Sequence, residues 1–108
     1  MKQNQKYSVV FVTTPDKKEG RKIASGILKN RLAACVSIVE KIESHYRWQG
    51  KIEKSAECLL IIKTKKSLSQ KLIKKIKETH SYKVPEIIFL TVADGSRDYL
   101  SWLEKETL

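Results

Sequence analysis

Residues 33–64 read AACVSIVEKIESHYRWQGKIEKSAECLLIIKT. The first arm sets Ala34, Val36, Ile38, Ile42, Tyr46 and Trp48 on one parity, the period of a strand with one buried face. Glu40 and Ser44 interrupt that parity, so a bulge or kink is expected near Glu40. The second arm, residues 51–64, closes on the apolar run Cys58-Leu59-Leu60-Ile61-Ile62, the pattern of a strand covered on both faces. Gln49-Gly50 separates the arms, and Gly50 can take the positive φ that a tight turn needs. The stretch predicts one long β-hairpin.

Arms of about 14 residues at roughly 3.3 Å each reach about 45 Å. A domain of this size has a radius of gyration of about 13 Å, a body roughly 34 Å across. The hairpin is therefore expected to overhang its own domain, carrying Tyr46 and Trp48 and unpaired strand edges into solvent. Pairing with sister subunits covers both, and head-to-tail contacts of this kind close into rings. A cyclic homo-oligomer is the expectation.

Before the hairpin, residues 7–13 form a first strand with Val9, Val10, Phe11 and Val12 as a buried run. Thr14-Pro15-Asp16 reads as a helix start: hydroxyl cap, proline, then an acid in the first turn. That helix carries Ile23, Ala24, Ile27 and Leu28 on one stripe and stops near Asn30-Arg31. After the hairpin, Ser67 is the expected cap of a second helix with Leu68, Leu72, Ile73 and Ile76 inward and His80 at its C-terminal end. Pro85 marks the start of a strand over residues 86–92, expected to be central or well covered. Ser96 caps a last helix with Tyr99, Leu100 and Leu103 on its apolar side and Trp102 near the edge. The order β-α-β-β-α-β plus a terminal helix predicts an α+β, ferredoxin-like antiparallel sheet with two helices on one face.

The 108 residues are expected to form a single domain, 1–108, and 41% are hydrophobic. No run of 18 apolar residues exists, so no membrane span is expected. The start, MKQNQKYSVVFV, lacks a small-residue cleavage site and does not read as a signal peptide. A cytoplasmic location is expected. The net charge is +10, mostly lysine scattered over helix faces and loops. Aromatic residues are not interleaved with the basic ones, so a solvated surface is favoured over a nucleic-acid partner. A two-residue turn would pair Cys35 near Thr64 and Cys58 near Lys41, far beyond disulfide reach, so both are expected as reduced thiols.

Thr13-Thr14-Pro15-Asp16, Arg31-Leu32-Ala33-Ala34-Cys35-Val36 and Tyr46-Arg47-Trp48-Gln49-Gly50-Lys51 are followed by three further segments: Leu60-Ile61-Ile62-Lys63-Thr64, His80-Ser81-Tyr82-Lys83-Val84-Pro85-Glu86 and Tyr99-Leu100-Ser101-Trp102. In this order they resemble the CutA family of divalent-cation tolerance proteins over nearly the whole chain. Ser81 stands where that family generally has proline, and Ser37 where asparagine is common. The resemblance implies a homotrimer knitted by its hairpins, with Tyr46, Trp48 and Trp102 in the interface. It also implies a non-enzymatic role in tolerance and binding of divalent ions, copper foremost, with Cys35, His80 and Glu86 as the matching ligands and no organic cofactor. Thiolate and imidazole suit copper, and a carboxylate can complete such a site. No CxxC, HxxxH or HExxH spacing is present. The second function the resemblance implies is a trimeric effector-binding or partner-anchoring protein, with Lys63, Tyr82 and Trp48 lining clefts between subunits. The partners expected are sister subunits and metal ions. Two histidines without a nucleophile or an orienting partner do not assemble a catalytic set.

Overall fold

A computed structural model describes residues 5–108; residues 1–4, part of the predicted domain and of the segment read for a signal peptide, lie outside the described residues. The chain runs β1 (Tyr7–Thr14), α1 (Lys17–Lys29), β2 (Cys35–Trp48), β3 (Lys51–Lys65), a short 3-10 turn (Lys66–Leu68), α2 (Ser69–Thr79), β4 (Ile87–Thr91) and α3 (Arg97–Glu106). The strands form one antiparallel sheet in the order β2-β3-β1-β4. This is the predicted α+β, ferredoxin-like arrangement with a third helix at its end.

One face of the sheet carries α1 and α2. Val10 and Val12 of β1 and Leu60 and Ile62 of β3 are fully buried there against Ile23, Ile27, Leu72 and Ile76. A Cβ at Gly20 would stand 3.1 Å from Leu60, so glycine lets α1 settle close to the sheet. Asp16, not Thr14, caps α1, accepting from Glu19 N–H at 2.8 Å. Thr14 is still paired with Cys58 in the sheet, so the helix starts two residues later than the sequence suggested. Ser67 lies within the 3-10 turn and α2 has no side-chain cap; the turn absorbs the helix entry instead. Ser96 caps α3 as expected.

The hairpin closes at Gln49-Gly50, with φ of 51° and 81° at the two turn positions. From Trp48↔Lys51 the ladder runs to Ile42↔Glu57, then resumes at Val39↔Leu59. Glu40 and Lys41 thus oppose Cys58 alone, a bulge at the expected place, with Lys41 at φ 59°. The extra residue changes what the parity means. Val36 and Ile38 pair with Ile62 and Leu60 on the helix side, whereas Ile42, Ser44, Tyr46 and Trp48 pair with Glu57, Ser55, Glu53 and Lys51 on the opposite face. The single buried face read from the sequence is therefore two half-faces joined at the bulge. The molecule measures 43 × 30 × 23 Å, and the distal hairpin provides its long reach.

β4 is an edge strand and not a central one. Its Ile88 and Leu90 pair with Phe11 and Val9 on the face away from the helices and are about half exposed. The β3 run is likewise covered on one face only: Leu60 and Ile62 are buried, Leu59 and Ile61 half-buried.

Candidate functional site

Where the distal hairpin meets the loop before β4, a cleft of about 550 Å³ opens, lined by Thr13, Ser44, His45, Tyr46, Trp48, Glu57, Tyr82, Lys83, Val84 and Glu86. The register set by the turn forms its wall: Ser44, Tyr46 and Trp48 share one face with Glu57 and Thr13, and the bulge sets that face apart from the helix-side packing of Val36 and Ile38. Tyr46 is fixed by a 2.8 Å hydrogen bond between its hydroxyl and Ser55 Oγ.

Glu57 is the polar centre of the cleft. It is only 8% exposed, and one carboxylate oxygen accepts from the Tyr82 hydroxyl at 2.7 Å. Among the described residues no basic group lies within ion-pairing distance of Glu57 or of Glu86. A buried carboxylate with one neutral donor and no counter-charge attracts a cation. Burial first, and then the bond to Glu57, push the Tyr82 phenol well above its ordinary range, so it remains a donor.

Tyr82 is positioned by His80. The Tyr82 N–H donates to His80 Nδ1 at 3.0 Å, which leaves the ring proton on Nε2, donated to the Thr13 carbonyl at 2.7 Å. Glu19 Oε2, 3.2 Å from Nδ1, accepts from Ser81 N–H. The ring is buried and stacks tilted on Tyr82, 4.8 Å between centroids. The His80 backbone, not its ring, caps α2 by donating to the Ile76 carbonyl.

The structure brings Glu86, Tyr82 and Trp48 of the sequence-derived set to this cleft. Cys35 and Lys63 sit elsewhere. They are paired across β2–β3, and Lys63 pairs in turn with Val9, so they lie at the end of the sheet away from Thr13. Lys63 Nζ is 3.9 Å from Cys35 Sγ. Tyr99 of α3 reaches the same thiol, and its phenol is raised by burial and then by Cys35. Trp102 packs on Tyr99 with centroids 5.5 Å apart. Among the described residues no three His, Cys, Asp or Glu side chains are grouped to hold a metal ion, so Cys35, His80 and Glu86 do not form a site within one chain. Both cysteines are free. The bulge shifts the register by one, putting Cys35 opposite Lys63 and not Thr64.

Sequence reading passed over Glu57, Ser44 and Thr13. The signal for Glu57 was present: a carboxylate abutting the apolar run 58–62 has little water to face. The two-residue turn pairs Ser44 with Ser55 and so puts it on the Glu57 face; what no local pattern announced is that Thr13 and the loop before β4 border that face.

The chain matches the model of the CutA1 divalent ion tolerance protein family over residues 8–106. It is 48% identical over 99 residues to "Protein CutA, chloroplastic" of Arabidopsis thaliana, covering 92% of this chain and 54% of that one. It is 44% identical over 99 residues to "Divalent-cation tolerance protein CutA" of Thermus thermophilus, covering 92% and 96%. The chain thus spans about half the length of the plant relative and nearly all of the bacterial one. The crystal structure of CutA1 from Oryza sativa superposes with a TM-score of 0.93 at 46% identity, covering 97% of this chain and 96% of that one.

Proposed function

This chain belongs to the CutA1 divalent ion tolerance family, and from that premise we propose that it binds divalent cations, copper among them, as a homotrimer in the cytoplasm, without catalysing a reaction. The observation that carries the reading is Glu57, a buried carboxylate without a counter-ion, opening with Glu86 into one cleft. Carboxylate oxygens and imidazole suit divalent ions of intermediate hardness.

The donors inferred from resemblance are unequal. Glu86 faces the cleft. His80 ligates only if one of its two ring hydrogen bonds breaks. Cys35 ligates only with the Lys63 ammonium moved from beside its sulfur. We therefore assign the first contacts to Glu57 and Glu86, with the coordination shell completed by a sister subunit, and keep Cys35 and His80 as donors that need rearrangement.

Several exposed groups support the trimer. Tyr46, Trp48 and Trp102 are each nearly half exposed, and Val39, Ile88 and Leu90 leave an apolar face opposite the helices. No helix of the described residues is long and apolar enough to cross a membrane, and the two free cysteines fit a reducing compartment.

Isothermal titration with copper, zinc and magnesium tests the cation reading. Glu57→Gln and Glu86→Gln should each weaken binding about tenfold or more, with circular dichroism unchanged; equal affinities in all variants would overturn it. Light scattering tests the assembly, and a well-folded single subunit at micromolar concentration would refute the trimer. A second reading, an organic effector in the same cleft, is favoured by the aromatic walls Tyr46, Trp48 and Tyr82 and by the cleft's size. Thermal shifts with a panel of small metabolites, set beside the metal titration, separate the two.

A further inference from the structure

The chain's positive charge is not spread as its lysines are along the sequence. α1, the 3-10 turn and α2 hold ten basic residues and two acids, a net of +8 out of +10 for the chain. The remaining residues carry twelve bases and ten acids and are nearly neutral. The fold lays both helices side by side on one face of the sheet: a Cβ at Gly26 would stand 3.5 Å from Lys75. Each helix buries its apolar stripe, Ile23 and Ile27 or Leu72 and Ile76. Helical geometry then turns Lys18, Lys22 and Lys29 of α1 and Lys71, Lys74 and Lys77 of α2 outward, and all six are exposed.

Little opposes this charge. Lys17 pairs with Glu40 at 3.3 Å and Lys75 with Glu78 at 3.9 Å. Glu19, the other acid of the layer, is turned to Ser81 and His80. Among the described residues the other eight bases make no ion pair.

We infer that this two-helix face docks on double-stranded nucleic acid, by contacts to phosphates without reading bases. Charge complementarity selects a polyanion. The composition of the layer selects the duplex among polyanions. It contains no Phe, Tyr or Trp, so it offers no platform on which unpaired bases could stack. Its only exposed large apolar side chain is Leu28, whereas Trp48, Ile52, Ile88, Leu90 and Trp102 lie on the hairpin, β4 and α3. A face that sits in a bilayer interface carries its aromatic and apolar wedge beside its lysines. Lysine, a flexible point charge, outnumbers arginine nine to one here, which suits phosphates and not the bidentate reading of guanine. The face also lies opposite the apolar sheet surface, so an assembly through that surface leaves it open.

The test is fluorescence anisotropy of the full chain with two 24-base-pair DNA duplexes of unrelated sequence, a duplex RNA, and a 24-mer of deoxythymidine. α1 is about 20 Å long and one strand of a duplex carries a phosphate about every 3.4 Å of axis, so at most about six phosphates of a strand lie alongside it, of which about four contacts are expected. Affinity should fall roughly 10²-fold between 50 and 200 mM salt, equally for both sequences. The triple variant Lys71→Gln, Lys74→Gln, Lys77→Gln keeps helix propensity and should weaken binding at least tenfold with a shallower salt slope. The charge-matched control Lys51→Gln, Lys54→Gln, Lys105→Gln should change it less than threefold. Equal losses in the two variants, tighter binding to the single strand, no binding at 50 mM salt, or lysine-dependent binding to phosphatidylserine vesicles without duplex binding would each overturn the inference.

Discussion

In the half of the hairpin next to the helices Leu60 and Ile62 are fully buried; in the half beyond the bulge Trp48 is 46% exposed and Ile52 73%. The two halves share one ladder and one turn but serve different ends. The proximal half is covered by α1 and α2 and carries the hydrophobic core. The distal half has no helix over it, and its inner edge supplies one wall of the cleft. Glu40 and Lys41 opposite Cys58 mark the border and change which residues face which way. The buried core thus lies on one side of the bulge and the candidate cleft on the other.

The sharpest way to break this division is a pair of truncations. Leu60→Ala should cost about 2–5 kcal/mol, because it opens a cavity between the sheet and Gly20 of α1. Ile52→Ala, whose side chain is exposed in the subunit, should cost at most a small fraction of the Leu60→Ala loss. Urea denaturation of both variants decides the matter, and comparable losses would mean the distal half is part of the core after all.

Tyr82→Phe comes next in size. It removes the hydroxyl that donates to the Glu57 carboxylate and should cost about 1.5–3 kcal/mol. The raised phenol also gives this bond a pH signature. Its contribution is fully present below the unfolded tyrosine value of about 10 and is lost as pH rises toward the folded one. Wild type should therefore lose stability on the alkaline side more steeply than Tyr82→Phe, read from thermal melts between pH 8 and 11.

On the proximal side, Glu104 shows the opposite sign. Hydrogen bonds from Lys65 and then Tyr7 hold its carboxyl below the ordinary range. Its contribution is present above about pH 4.5 and lost on acidification. Glu104→Gln should flatten that acid loss, and melts from pH 6 to 3 check it. A small gain, not a loss, is expected at the border itself. Lys41→Gly relieves a positive φ and should raise stability by no more than about 1 kcal/mol, leaving the cleft unchanged.

The order of elements, the turn at Gln49-Gly50 and the bulge near Glu40 were legible in the chain, because each rests on local periodicity or on a residue's own backbone freedom. Of the residues named through resemblance to a family, Tyr82, Trp48 and Glu86 line the candidate cleft, while Cys35 and Lys63 lie at the other end of the sheet. Glu57 and the role of His80 were not legible. Glu57 stands out because it is buried without a counter-charge, and His80 because its Nε2 is bonded across the fold to the Thr13 carbonyl, 67 residues away. Neither fact is local.

By itself, then, the sequence determined that a long ribbon and two amphipathic helices would share one antiparallel sheet, since hydrophobic period alone dictates which stripe each element must bury. Tertiary structure decided what those elements expose together. One extra residue in the ladder reassigns the side chains beyond it, and the packing of two helices gathers lysines 40 and more residues apart in the chain onto one face. Local pattern sets what is buried; only the assembled fold sets which charges and donors become neighbours.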